Sequence, residues 1–393
     1  MTDQPEQPNQ FPADDFTSDL IGASGYNFDQ PQKREFLPWH RPRKQFVREK
    51  QWAQQISLLI AETTPESGII KYLGLPGDDL LDLRHFHNTI CTPKGIKLKF
   101  LGFNRGINQG SDHKASLEVS LDEIRKLPNV DFTSDIIGDD LTNIALPRSI
   151  AWKRSFNMGP FDVINIDLCD GFAKQAVNDF KETHYNTLNQ LVTWQARRKD
   201  PWLLFLTTKS DTEGVNDGVF ETLKQIYIKN LSDCESFLGS SGECFSVTDT
   251  SSLESYCSGP AGFSNIFLTS LSKWILTLGL GQNPPSKVEV KSVMGYKVSS
   301  NASFPDLISI AIKITPTFHS TPDPVGLANQ DIETIDECVL ANRILKAVHK
   351  QRDVDDILAN NDELMNEMIK ATIDLLEQAR YDITTYRAWL NGG

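Results

Sequence analysis

From Ile69 to Thr315 the chain alternates short, nearly continuous apolar runs with longer stretches whose apolar residues recur every three or four positions. The first pattern suits strands buried on both faces, and the second suits amphipathic helices. Ile69 to Leu73 opens the series as a strand, breaks at Gly74-Leu75-Pro76-Gly77 and continues as a helix from Asp78 to Thr92. Ile96 to Phe103, Val130 to Ile137, Phe161 to Asp167 and Pro201 to Thr208 are read as the next four strands. Helices are expected between them at Ser120 to Leu127, Pro147 to Phe156 and Asn178 to Ala196. Ser120 with Glu123 three residues on has the form of a capping box. Strands alternating with helices imply βαβ units and a mostly parallel sheet.

The pattern loosens over residues 211–286, where helices at Val219 to Asn230 and Phe263 to Leu280 flank a Ser/Gly/Cys-rich loop. This length exceeds one crossover, so an insertion is expected, of the kind that can serve as a lid over a site. Val288 to Val298 and Leu307 to Thr315 then read as a closing antiparallel hairpin. Past Pro316, helices are expected over Ile332 to Lys350 and Asp362 to Trp389. Leu364, Met368, Ala371, Leu375, Ala379 and Ile383 form one stripe, which suits packing on the protein's own sheet, between subunits, or against a protein partner. The expected class is α/β: a doubly wound, mostly parallel sheet with a terminal antiparallel hairpin, an N-terminal tail and helix, and a C-terminal helical extension.

Charge divides the ends further. Residues 1–32 carry acids but no lysine or arginine, and read as a disordered acidic tail. Lys33, Arg34, Arg41, Arg43, Lys44, Arg48 and Lys50 follow within 18 residues, interleaved with Phe36, Trp39, His40 and Phe46. A helix is expected from Arg43 to Ala61 with Trp52, Ile56, Leu59 and Ile60 on one face. Such a segment either docks on the core with its cations in water, or offers Trp39, Arg41, Arg43 and Lys44 to an anionic substrate or nucleic acid. The expected organisation is thus tail 1–32, basic and aromatic segment with docking helix 33–62, central domain 63–316 and helical extension 317–393.

Composition narrows the function classes. The net charge of −13 opposes wholesale electrostatic binding of nucleic acid, though not a local patch. No apolar run reaches the roughly 20 residues of a membrane span, and the N-terminus lacks a secretory pattern, so no membrane association is expected. The six cysteines show no CxxC spacing, which favours free thiols and a cytoplasmic setting over a zinc site or disulfide framework.

The candidate chemistry lies where strands meet helices. A strand entering a helix through glycine makes a ligand crevice at the carboxyl edge of a sheet. The four loops in question carry Gly74 and Gly77, Asn104, Gly138-Asp139, and Asp167-Leu168-Cys169-Asp170. With five alternating strands and a terminal hairpin, Ile69 to Thr315 resembles the class I, Rossmann-like, S-adenosylmethionine-dependent methyltransferases. A fainter likeness to the three-Cys-motif partner proteins, themselves methyltransferase-like, accompanies it. The resemblance implies a cofactor bound at Gly74, Gly77, Asn104 and Asp139, with Asp167 or Asp170 as base or as the group orienting the acceptor. It also marks two departures: Tyr72 stands where an acid is expected after the first strand, and Asn104 replaces the ribose-binding acid. Nor does the fourth loop spell the Asp-Pro-Pro-Tyr type of motif. Two readings follow. One is a methyltransferase acting on a nucleic acid or other anionic substrate. The other is a catalytically silent scaffold that binds protein partners, or a second copy, through its tail and C-terminal helices. A dehydrogenase-like domain fits less well, because the first loop lacks GxGxxG.

Overall fold

The computed structural model describes residues 32–65, 68–105, 111–177, 180–299, 302–317, 325, 327 and 335–392. The acidic tail expected over 1–32 lies, but for its last residue, outside the described residues. The strands are β1 (Ile69–Gly74), β2 (Lys97–Phe103), β3 (Asp135–Ile137), β4 (Val163–Asp167), β5 (Trp202–Lys209), β6 (Ser286–Tyr296), β7 (Leu307–Pro316) and β8 (Arg352–Asp353). They form one sheet in the order β3-β2-β1-β4-β5-β7-β6-β8. Pairing is parallel from β3 through β5, while β7 runs antiparallel to both β5 and β6. The mixed α/β class and closing hairpin thus match the sequence reading. The short β8, parallel to β6, was not foreseen.

The continuous apolar strands are explained by burial on both sides. Leu204, Leu206, Ile164, Ile166, Ile310 and Ile312 belong to one core. Their strand neighbours Leu203, Phe205, Val163 and Ala311 belong to the other. Successive strand side chains point to opposite faces, so each strand must be apolar at nearly every position.

On the second face lie α1 and α2. The first runs through Pro42–Val47, a π-helical segment Arg48–Ala53 and Gln54–Thr63. The second runs through Leu81–Phe86, a π-helical His87–Cys91 and Thr92–Lys94. Trp52 of α1 is fully buried, with its ring 6.1 Å from that of Phe205 and its indole N–H donating to Ser309 Oγ at 3.2 Å. Burying a ring of this size contributes on the order of 5 kcal/mol. Then come α3 (Ser111–Arg125), α4 (Ile150–Met158) and α5 (His184–Gln195). Ser120 lies inside α3 and donates to Ser116 O, so it is not the expected N-cap. The third strand is also shorter than read, because Val130 makes only an isolated bridge to Leu98.

The 211–286 stretch departs most from expectation. It contains α6 (Asp217–Asp233), α7 (Glu235–Phe245), α8 (Thr250–Cys257) and α9 (Pro260–Leu280). The Ser/Gly/Cys-rich loop is helical because Phe237, Ser240, Ser241 and Phe245 form a buried face. The Ser241 hydroxyl is satisfied there, donating to Val247 O at 2.7 Å and meeting Tyr227 Oη at 2.6 Å. Nor is the stretch a lid. Ile266, Phe267, Leu271 and Ile275 of α9 lie fully buried in the first-face core.

Beyond the hairpin, α10 (Glu337–His349), α11 (Val354–Ala359), α12 (Asp362–Gln378) and α13 (Ile383–Gly392) complete the chain. The helix expected over Asp362 to Trp389 is broken at Arg380, which has φ +68°. Lys33 bridges the break, donating its N–H to Arg380 O and accepting from Asp382 N, both at 2.9 Å. Met368, Leu375 and Ala379 of the apolar stripe are buried against the protein itself. The expectation of thiols throughout is corrected at one pair. Cys234 and Cys338, 104 residues apart, form a disulfide that ties the start of α7 to α10. Their distance in sequence hid the pairing. Among the described residues, no helix is long and apolar enough to cross a membrane.

Candidate functional site

A cavity of about 800 Å³ opens at the carboxyl ends of the first four strands. Strand order reverses between β1 and β4, so the chain leaves these neighbouring strands toward opposite faces and a crevice remains between the exits. The loops after β1, β2, β3 and β4 supply Gly77, Asn104, Asp139 and Asp167 to its wall. Trp39, Lys44 and Arg48 enter from the N-terminal segment, and Tyr296, Val298 and Leu307 from the hairpin.

The structure brings most of the expected residues together. Gly77 lines the cavity, and a Cβ placed on it would meet nothing within 4 Å. Gly74 lies outside the cavity lining; a Cβ there would fall 2.7 Å from the Tyr72 ring, so its smallness accommodates that ring. Asn104 donates its side-chain amide to Pro76 O and to Asp78 Oδ1, both at 3.0 Å, joining the first two loops. Asp139 accepts through Oδ1 from Asp140 N at 2.8 Å and Asn143 Nδ2 at 2.6 Å. Its Oδ2 takes no hydrogen bond from the described residues.

Asp167, at the end of β4, accepts from Lys44 Nζ at 2.6 Å. The Lys44 side chain is only 4% exposed and its ammonium lies 4.4 Å from the centre of the Trp52 ring. Burial alone would lower its pKa, but the Asp167 charge outweighs that and holds the group well above the usual lysine range. Asp170 is held by Gly171 N at 2.9 Å and Lys174 Nζ at 2.7 Å. Slight burial opposes ionisation there, but these donors lower its pKa. Cys169 is exposed as a residue, but partial desolvation of its thiol and then the Asp167 charge push its pKa up, which makes it a poor nucleophile.

Most cations of the basic run are ion-paired within the protein. Lys33 pairs with Asp79 at 2.5 Å, Arg34 with Asp382 at 3.2 Å, Arg43 with Asp355 at 3.3 Å and Lys50 with Glu367 at 2.9 Å. Arg41 lies over the Trp389 ring at 4.3 Å. Of the four candidate substrate residues, Trp39 and Lys44 line the cavity, while Arg41 and Arg43 do not. Asp79, just beyond the first glycine loop, also accepts from Tyr381 Oη at 2.7 Å and has His40 Nε2 at 3.5 Å. Through it, the N-terminal segment and α13's approach are fastened to the cavity wall.

A family model described as PP_RS20740-like matches residues 33–391, nearly the whole chain. The chain belongs to the PP_RS20740-like family. No curated protein matches it. Among solved structures, a Listeria monocytogenes protein described as a candidate class I S-adenosylmethionine-dependent methyltransferase, determined at 2.20 Å resolution, is similar over 77% of this chain and 70% of that one. The two are 13% identical with a TM-score of 0.33, and at that score the likeness carries no argument about this chain.

In this PP_RS20740-like protein, Arg48, read only as one cation of the basic run, and Asp82 and Tyr296 line the wall without having been candidate site residues. Arg48 is 2% exposed and donates from Nε to Asp82 Oδ1 at 2.5 Å, yet its Nη1 has no hydrogen-bond partner among the described residues. A buried guanidinium nitrogen without an acceptor costs stability unless a ligand or water meets it. Asp82 is the second of these residues, and Tyr296 of β6 is the third. The signal for Arg48 was present: it follows Lys44 by four, so both share the face of α1 that turns toward the sheet. The signal for Tyr296 was not, since only the hairpin's register brings it there.

Proposed function

We propose that this PP_RS20740-like protein is an S-adenosylmethionine-dependent methyltransferase, with the cofactor in the crevice above β1, β2, β3 and β4. The observation that carries the reading is the strand order. Leaving aside β8, it is 3-2-1-4-5-7-6 with the seventh strand antiparallel, and the cavity lies at its switch point. A mostly parallel sheet closed by an antiparallel hairpin is the layout that the methyltransferase resemblance implies, and no dehydrogenase-like sheet is expected to end in such a hairpin.

The residues present fit the group in three respects. The cavity, at about 800 Å³, has the size of a nucleoside-cofactor site. Asp139 Oδ2 is available to an adenine amino group, and the unpartnered Arg48 Nη1 suits the carboxylate of the amino-acid end. Gly77 leaves space for a ligand close to the backbone. When bound, the cofactor supplies a methyl group on an electrophilic sulfonium. The chain's part is to align the acceptor and shield the reaction from water. Asp167, pinned by Lys44, is a fixed negative charge facing the cavity rather than a free base. It suits a role in orienting a protonated or hydrogen-bond-donating acceptor. An anionic acceptor, a nucleic acid among them, would meet Arg105 and Lys174 at the mouth, where they pair with Asp140 and Asp170 and are more than half exposed.

A second reading has its own support. Tyr72 and Asn104 stand where two cofactor carboxylates are expected, which favours a silent scaffold that keeps the fold. Calorimetric titration of the full chain with S-adenosylmethionine and S-adenosylhomocysteine separates the two. The proposal expects micromolar binding that Asp139→Ala weakens at least tenfold. Absence of heat at millimolar ligand would favour the scaffold.

A further inference from the structure

At the opposite edge of the sheet from the cavity, where α5 ends and β6 begins, lies a second concavity of about 520 Å³. Thr193, Arg197, Lys199, Gln282, Asn283 and Thr317 are among the residues that line it. Arg197 also leaves the groove to lie over two aromatic rings, 4.4 Å from the centre of Trp194 and 5.9 Å from that of Phe156. Those two rings are 4.1 Å apart, and Trp152 is 5.5 Å from Phe156. Phe156 is 39% exposed, unlike an aromatic residue that serves only a core. Lys153 lies one turn earlier on α4, on the same side as Phe156.

The charge here is one-sided. Lys153, Arg197 and Lys199 are exposed and make no ion pair among the described residues. The nearby carboxylates are already taken: Asp162 by Arg198 at 2.7 Å, and Asp135 by Arg125 at 2.8 Å and by Arg154. Asp200 is the exposed acid that remains beside them. Three exposed cations against one exposed acid, beside a ring that is 39% exposed, make this face net positive in a chain of net charge −13. A free small anion would use the cations but not the ring of Phe156. Phosphates spaced along a strand, with bases between them, use both.

We propose that the face formed by α4 and the end of α5 binds single-stranded nucleic acid, with phosphates at Lys153, Arg197 and Lys199 and a base stacked on Phe156. This surface is separate from the cavity and stands whether or not the cavity holds a cofactor. It is an alternative to the segment 33–50, most of whose cations are ion-paired within the protein, as the site for a polyanion.

The test is fluorescence anisotropy of the full chain with a short fluorescein-labelled oligothymidylate across a salt series. The expected result is binding that weakens with salt, and that Arg197→Glu with Lys199→Glu weakens at least tenfold. That double variant should also flatten the log–log salt slope by about 1.4, from roughly 0.7 per lost phosphate contact. Phe156→Ala should weaken binding about tenfold with little change of salt slope, since stacking rather than charge is lost. Both variants alter exposed groups, and circular dichroism verifies that they fold. The proposal is overturned if the native chain does not bind at low salt or if the variants bind as it does. It is equally overturned if heparin or duplex DNA of equal charge competes as well as the single strand, because charge alone would then be read.

Discussion

Replacing Lys44 with methionine removes one charge from the cavity wall and little else. The methionine keeps an apolar stem against Trp52, so packing is largely retained. What remains is Asp167, whose side chain is 16% exposed, with no ammonium at 2.6 Å. Breaking a buried pair in this way costs about 3–5 kcal/mol, and the partial access of Asp167 to water places the expected loss near the lower end, about 3 kcal/mol. Unfolding entropy of about 2.1 cal/mol/K per residue gives roughly 0.8 kcal/mol/K for a chain of this length, so Tm should fall by about 4 °C. Folding raises the Lys44 pKa, so its contribution is complete below the ordinary lysine range and lost only as pH rises beyond it. The deficit should therefore be constant over roughly pH 6 to 9. Differential scanning calorimetry on Lys44→Met, Asp167→Asn and the double variant measures the coupling directly. The double variant should recover about 2 kcal/mol relative to additivity, because no lone charge is left. The reasoning is refuted if Lys44→Met loses no more than Lys126→Met, which changes a lysine that is 73% exposed.

Other perturbations read different parts of the structure. Burial, helped by the nearby Arg48 charge, pushes the His85 pKa down to about 4, so the unfolded chain binds more protons between the ordinary histidine range and that value. Stability should drop by on the order of 3 kcal/mol as pH falls from about 6.5 to 4, and His85→Gln should flatten that part of a urea-melt pH profile. Cys338→Ser should cost about 2–4 kcal/mol in guanidinium titrations without reductant, and the difference from the native chain should vanish once reductant is added. Gly171→Ala should cost about 3 kcal/mol, because its Cβ would fall 1.6 Å from the backbone oxygen of Gly214; an unchanged melt would show that the loops after β4 and β5 are not so closely apposed.

The strands were legible because they are buried on both faces, and a continuous apolar run as short as Trp202 to Leu206 suits a buried strand better than a helix. The antiparallel closure was legible from its short connection. Elements stabilised by a few buried positions were not. The helices α7 and α8 are rich in Ser, Gly and Cys, poor helix formers whose conformation is decided by burying Phe237, Phe245 and Leu253. In the site, the glycine, asparagine and aspartate loops could be read because each ends a strand. The fate of the basic run could not. Its partners Asp79, Asp82, Asp167, Asp355, Glu367 and Asp382 are scattered from the first loop to the last helix. Local spacing says that Lys44 and Arg48 share a face, but only the fold says that this face meets carboxylates.

The central claim is that a nucleoside cofactor lies across the carboxyl ends of the first four strands. Its most direct test is a crystal structure of the full chain with S-adenosylhomocysteine. The account predicts the adenine amino group within hydrogen-bond distance of Asp139 Oδ2 and the ligand carboxylate against Arg48 Nη1, with the Lys44–Asp167 pair intact beside the sulfur. Density for the ligand elsewhere, or an empty crevice at millimolar ligand, would contradict it.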